Sequence, residues 1–424
     1  MTTRRARHHR AVVALSVGAA LLAGSLGAVG TASPSTAAPV AAWDRTFALS
    51  SAPGSKHTLY LDFLGGTVTG TYWNTTAQAA AITVAPFSLD AYTAHFSRLE
   101  LGAIQAAWAT VAQDYSPFDI NVTTAPAPAD AISRSSAADD TWGTRVMITD
   151  QVPTMTGCGC GGNAWLGSAD RVSTPGTPAW VITGDLGLSA QDPASLTGLG
   201  IGNAISHEAG HTFGLVHQGL GSSEYYERQG LWAPIMGASS FAPMTQWSDG
   251  RYAGGHHGQD DMAILRSVLG PTRTARRGPS TLSVGATTYG MVTGASQVDT
   301  YTLAPSRRTR TVRITAAPTG LAPDLDLRMR VTDDTGRVVG TAAPRNGSDA
   351  LGQWVTGLGA GLTLTVEAGH RYTVDVAPSG NQSTRRQNSS GLYDTYSAYG
   401  SVGAYRLSVA PSSGTWARRA HARR

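Results

Sequence analysis

The sequence predicts an α+β first unit over residues 56–270 followed by an all-β sandwich over 282–411, and three observations carry that prediction. Strand-like and helix-like periodicities alternate up to Gly270. Beyond residue 281 only short alternating strands recur. Between the two, residues 271–281 hold Pro271, Arg273, Arg276, Arg277, Gly278 and Pro279, the composition of a linker. A chain of 424 residues is long enough for two units with separate cores.

Residues 57–63 alternate as a strand, with Leu59, Leu61 and Phe63 on one side, and stop at Gly65 and Gly66. Over 96–115 the apolar residues Leu101, Ile104, Trp108, Val111 and Tyr115 recur every three or four positions. That is the stripe of an amphipathic helix, which Pro117 ends. Residues 119–124, 144–149 and 179–183 read as short strands. Asp192 and Pro193 signal a helix start, and 198–214 reads as one helix despite several glycines, each costing up to about 1 kcal/mol. A further helix opens at Asp260 and Asp261 and carries Met262, Ile264, Leu265 and Val268. In the second unit, 299–303, 311–314, 325–331, 362–366, 372–376 and 404–409 alternate as strands, with turns at 334–336, 344–347 and 378–380.

Residues 1–10 carry Arg4, Arg5, Arg7 and Arg10, 11–30 form an uncharged Ala/Leu/Val/Gly run, and small residues follow. This layout predicts a signal peptide over 1–38 and a secreted protein. The competing reading, an uncleaved anchor, has nearly the roughly 20 residues a span needs but is rich in Ala and Gly. A short segment, 39–55, precedes the first strand, and a basic tail occupies 412–424. Against 32 Lys and Arg stand 28 Asp and Glu; the excess equals the four N-terminal arginines, so the rest is neutral and no nucleic-acid partner is expected. Hydrophobic content of 41% with 14% charged residues excludes a wholly disordered chain. Cys158 and Cys160 flank one glycine. They read either as a bridge closing a very small loop or as a thiolate pair with no further Cys or His cluster beside it.

The segment 207–217 carries the chemistry. His207 and His211 stand four apart, so on a helix both imidazoles project from one face and can meet one zinc ion. Glu208 adjoins the first histidine, where its carboxylate can reach a water without ligating the metal. Gly214 allows a left-handed exit from the helix, and the chain then delivers His217 as a third ligand. Three protein ligands leave a position for water, the pattern of a catalytic site. The five fixed positions are expected by chance about once in 10⁵ chains of this composition.

These residues resemble the metzincin clan of zinc endopeptidases, whose motif is His-Glu-x-x-His-x-x-Gly-x-x-His followed by a Met-turn. Residues 233–237, Ala-Pro-Ile-Met-Gly, resemble that turn. Over roughly 56–270 the resemblance implies a metzincin-like catalytic domain, a twisted, mostly parallel sheet with long helices. It implies one catalytic Zn²⁺ on His207, His211 and His217, Glu208 as general base, and Met236 as a floor beneath the metal. It also implies a protein or peptide substrate lying extended along an edge strand, with Tyr225, Tyr226, Leu231 and Trp232 walling the adjacent pocket. The chain departs from the clan at Gln218, which fits no subfamily, and at Ala238, where a tyrosine ligand would stand. The second unit resembles the bacterial pre-peptidase C-terminal sandwich at 299–303, 324–327, 334–336 and 399–409, which implies an accessory role.

The expected function is therefore a secreted zinc-dependent endopeptidase, monomeric and without integral membrane association. A secreted binding protein that retains a protease fold is the alternative, and zinc-dependent hydrolysis of a non-peptide substrate is a third reading. The adjacent His256 and His257 cannot easily face one ion, and His95 and His370 have no partner at ligand spacing. Calcium is possible from the many aspartates, but none falls at EF-hand spacing.

Overall fold

The computed structural model describes residues 12–16, 40–173, 175–188, 192–227, 231–239, 242–252, 255, 258–273, 281–321, 323–343, 346–348, 354–380 and 396–412. The expected leader apart from 12–16, most of the linker, His256, His257 and the basic tail lie outside them. The structure is α+β. The first unit runs β1 (Val12–Ser16), β2 (His57–Asp62), β3 (Gly66–Val68), α1 (Tyr72–Ala77), β4 (Ile82–Val84), α2 (Arg98–Asp114), β5 (Ile120–Thr123), α3 (Ala129–Ile132), β6 (Trp142–Thr149), β7 (Cys160–Trp165), β8 (Ala179–Ile182), α4 (Ala194–Thr212), β9 (Trp232–Pro234), β10 (Met244–Gln246) and α5 (Asp261–Leu269). Its main sheet has the order β1-β7-β8-β6-β2-β5. Strands β5, β2, β6 and β8 are parallel, while β7 runs antiparallel to β8 and β1 antiparallel to β7.

Local chemistry explains the two long helices. Ser97 Oγ accepts from Glu100 N at 3.2 Å while Glu100 Oε2 accepts from Ser97 N at 2.7 Å, a capping box that opens α2. Helix α4 starts at Ala194, directly after the Asp192-Pro193 signal and ahead of the 198–214 stretch, and its glycines have a packing role. A Cβ at Gly198 would lie 2.4 Å from Ala106 Cβ, and one at Gly202 would lie 2.7 Å from Thr110 Cβ. The helix propensity lost at these glycines allows α2 and α4 to approach closely. Strand β7 escapes the sequence reading because Gly161, Gly162 and Asn163 give it little intrinsic β preference. No strand is expected at Val12–Ser16 either, yet its backbone pairs along the outer edge of β7.

The second unit is a sandwich of β11 (Thr281–Leu282), β12 (Thr287–Val292), β13 (Asp299–Leu303), β14 (Arg310–Pro318), β15 (Leu327–Asp333), β16 (Val338–Ala342), β17 (Gly347–Ser348), β18 (Val355–Thr356), β19 (Ala360–Val366), β20 (Tyr372–Pro378) and β21 (Gly403–Pro411). One sheet has the order β11-β13-β20-β15-β16 and the other β12-β21-β14-β19. Alternation puts Val312, Ile314, Leu327, Met329, Val374, Val376, Leu407 and Val409 between them. The sandwich is docked on the first unit. Gln113 Nε2 donates to Val402 O at 3.1 Å, Gln246 Nε2 to Asp324 O at 2.6 Å, and Met262 N to Tyr399 Oη at 2.8 Å. Val402 belongs to the first unit's core.

Across this boundary the fully buried carboxyls of Asp114 and Asp324 face each other, and Ser206 Oγ donates to Asp114. Asp114 Oδ1 and Asp324 Oδ2 meet no other donor among the described residues. Burial pushes both carboxyls above the ordinary range, and a proton between them satisfies both oxygens. The stability this pair contributes is complete below the unfolded carboxyl pKa of about 3.9 and is lost as pH rises through the raised values. Asp324→Asn, whose amide can donate to Asp114, is expected to exceed the unaltered protein in stability by roughly 1–3 kcal/mol at about pH 8, with the gap closing toward about pH 4. Thermal melts at both pH values check this, and an equal gap at both contradicts it.

Candidate metal centre

Helix α4 presents His207 and His211 one turn apart. Gly214, with φ 100°, takes the chain out of the helix, and the loop beyond returns His217 to the same point. His211 Nε2 lies 3.0 Å from His207 Nε2 and 3.1 Å from His217 Nε2. All three rings are buried. The outer nitrogens are anchored. His207 Nδ1 donates to Ile235 O at 2.8 Å, His211 Nδ1 to Leu215 O at 2.7 Å, and His217 Nδ1 to Glu224 Oε1 at 2.7 Å. Carbonyl and carboxylate oxygens only accept, so the Nδ1 atoms carry the protons and the Nε2 lone pairs converge.

This donor set fits a metal ion. Three lone pairs facing one point repel unless a cation lies among them, and tetrahedral zinc would set nitrogen separations of about 3.3 Å. Burial lowers His207 to about 4 and His211 well below the usual imidazole value, so both are neutral ligands near neutrality. Among the described residues these three form the only group of at least three His, Cys, Asp or Glu side chains close enough to share an ion.

Glu208 is fully buried beside them, and neither carboxylate oxygen accepts a hydrogen bond from any described residue. Burial pushes its pKa well above the ordinary carboxyl value. It rests against β7, where a Cβ at Gly162 would lie 2.4 Å from Glu208 Oε1. The glycine that obscured this strand in the sequence is what admits the carboxylate. Met236 packs from the other side: a Cβ at Gly210 would lie 2.7 Å from Met236 Sδ, and Gln218 N donates to Met236 O at 2.7 Å.

Residues that the sequence reading missed support the third histidine. Gln218 is fully buried. Its amide donates to Gln259 O and Asp261 Oδ1, each at 3.1 Å, and accepts from Tyr252 Oη at 3.2 Å. Gln259 exchanges hydrogen bonds of 2.8 and 2.9 Å with the backbone of Val216. Asp261, raised by burial to about 7, joins both glutamines. Sequence analysis could register Gln218 only as a departure, because its partners lie some forty positions downstream.

One expectation needs correction. Tyr226 and Trp232 pack with Met244, Leu358 and Tyr396 in a satellite core beneath the sandwich, and the small pocket that Trp232 lines, with Gln246, Tyr252 and Tyr399, contains none of the histidines. Tyr225 alone of that group borders the histidines, its ring 4.1 Å from that of His217. Cys158 and Cys160 are joined in a disulfide at the start of β7, the small-loop bridge of the two readings, so neither is a thiolate ligand. His95 lies against Tyr92 and His370 pairs with Asp334, away from the site. A groove of about 430 Å³ between the units, lined by Trp108, Phe118, Met291 and Leu321, contains none of the site residues. Among the described residues no helix is long and apolar enough to cross a membrane.

No family model matches the chain, and no curated protein does. Among solved structures it is similar over part of its length to the pre-peptidase C-terminal domain of a collagenase from Bacillus anthracis. That match has 14% identity, covers 30% of this chain and 91% of that one, and has a TM-score of 0.20. A second is the periplasmic inhibitor of g-type lysozyme, PliG, from Salmonella Typhimurium, at 13% identity, 30% and 97% coverage, and a TM-score of 0.15.

The geometry makes the site's occupancy countable. Protein equilibrated with zinc and desalted is expected to retain one equivalent by elemental analysis, and His211→Ala to retain none. A variant that keeps its zinc contradicts this site.

Proposed function

We propose that this protein is a secreted zinc-dependent endopeptidase of metzincin type, with an accessory sandwich resembling the pre-peptidase C-terminal domain. The observation that carries the reading is the unpartnered, buried carboxylate of Glu208 beside three converging imidazoles and against β7, the second strand of the sheet. An isolated buried carboxylate is costly, and folds retain such groups where they act. Zinc on His207, His211 and His217 would supply a Lewis acid that polarises the scissile carbonyl and acidifies water.

The chain's own residues account for the rest. Glu208, with its pKa raised by burial, takes a proton from the attacking water and returns it to the departing amine nitrogen. Strand β7 offers its outer edge to an extended backbone. In the chain itself β1 pairs antiparallel along this edge, Val13 with Ala164 and Leu15 with Gly162, which supports reading it as the place of an extended peptide beside Glu208 once the expected leader is removed. That favours a peptide over a glycan. Met236, packed under Gly210, holds the helix carrying both ligands at fixed depth. The sequence at 1–38 supports export as part of the same proposal.

Casein cleavage is expected from the zinc-loaded protein, to cease with a chelator and to return with zinc. Glu208→Gln is expected to cut cleavage roughly 10²–10⁴-fold with one zinc still bound. The same variant is expected to melt higher than the unaltered metal-free protein at about pH 8, because it removes a buried carboxylate held above its ordinary pKa. Glu208→Gln cleaving at the unaltered rate contradicts the assignment. A zinc-loaded protein inert toward denatured proteins supports the binding-protein alternative.

A further inference from the structure

The three histidines are not held alike. His207 and His211 stand on a regular helix, and their outer nitrogens donate to the buried main-chain carbonyls of Ile235 and Leu215. His217 lies on a loop beyond Gly214, and its Nδ1 donates to the side chain of Glu224, 66% exposed. The loop is shaped to make that contact. Leu220 N donates to Ser223 O at 3.0 Å and Ser223 N to Leu220 O at 2.9 Å, closing a tight turn that brings position 224 back to position 217. Tyr226 N donates to Gln218 O at 2.7 Å and pins the returning strand, while the Tyr225 ring covers that of His217.

We propose that Glu224 is a positioning residue that sets the affinity of the centre for its metal by orienting and charging the third ligand. This rests on the metal-centre reading above. A carboxylate bonded to Nδ1–H fixes the ring's tautomer and orientation and makes Nε2 a stronger donor than a carbonyl partner does. Three neutral imidazoles bring no charge of their own to a divalent ion, and Glu224 supplies a negative charge one ring away. Because the side chain stands at the surface, its removal leaves no buried cavity. It does take the acceptor from the buried His217 Nδ1, so metal-free melting and the Gln variant, which keeps an acceptor, separate the effect on the metal from that on folding.

The test is zinc affinity by competition with a chromophoric chelator, on the full chain, for the unaltered protein, Glu224→Ala and Glu224→Gln, with melting of each metal-free protein alongside. Glu224→Ala is expected to bind zinc about 10–100-fold more weakly. Glu224→Gln keeps an oxygen that accepts from Nδ1–H but lacks the charge, and is expected to fall between. Without metal, Glu224→Gln is expected to melt with the unaltered protein and Glu224→Ala within the small loss of a single hydrogen bond. Glu224→Ala binding zinc as tightly as the unaltered protein overturns the proposal, as does a metal-free melting loss that accounts for the weaker binding. An unaltered protein that takes up no zinc overturns the metal-centre reading itself, a separate and recognisable outcome.

Discussion

The convergence of three imidazole nitrogens on one point, 3.0 and 3.1 Å apart, constrains the surrounding structure. Each ring must be neutral, must carry its proton on the outer nitrogen, and must be held against the repulsion of its neighbours. Burial supplies the neutrality of His207 and His211. Three acceptors of different origin fix the protons: the Ile235 carbonyl, the Leu215 carbonyl just past the helix end, and the Glu224 carboxylate on the following loop. Much of the surrounding fold keeps those acceptors in place.

This requirement extends outward through contacts that individually look like ordinary packing. The glycines of α4 let it sit close to α2, so the histidine-bearing helix is braced along its length. Gln218, Gln259 and Asp261 tie the loop of the third histidine to the start of α5. The sandwich reaches the same region, since Gln246 on β10 donates into it and Tyr396 packs against Trp232. Perturbation at the sandwich boundary is therefore transmitted to elements one layer from the histidines.

Much of this was legible in the sequence where periodicity or a fixed spacing encodes it. The i, i+4 spacing of His207 and His211 is a helix property, and the need for positive φ at Gly214 is a backbone property; both are local. The six alternating strands expected in the sandwich are present because inward and outward faces differ so sharply along each. What the sequence concealed depends on non-local contacts. In β7, Glu208 occupies the space that a side chain at Gly162 would fill, so the propensity signal is weak where the site is closest. Glu224 reaches His217 through a turn with no characteristic motif. Tyr226 and Trp232, expected beside the metal, are drawn into a core that exists only once the sandwich has docked.

On this account His207, His211 and His217 together hold one ion, and no other such group occurs among the described residues. X-ray absorption at the zinc edge of the loaded, full-length protein measures this most directly. The expected spectrum shows three imidazole nitrogens at about 2.0–2.1 Å with a light-atom ligand completing the shell and no sulfur. A shell with sulfur scattering near about 2.3 Å, or with a single imidazole, would contradict it.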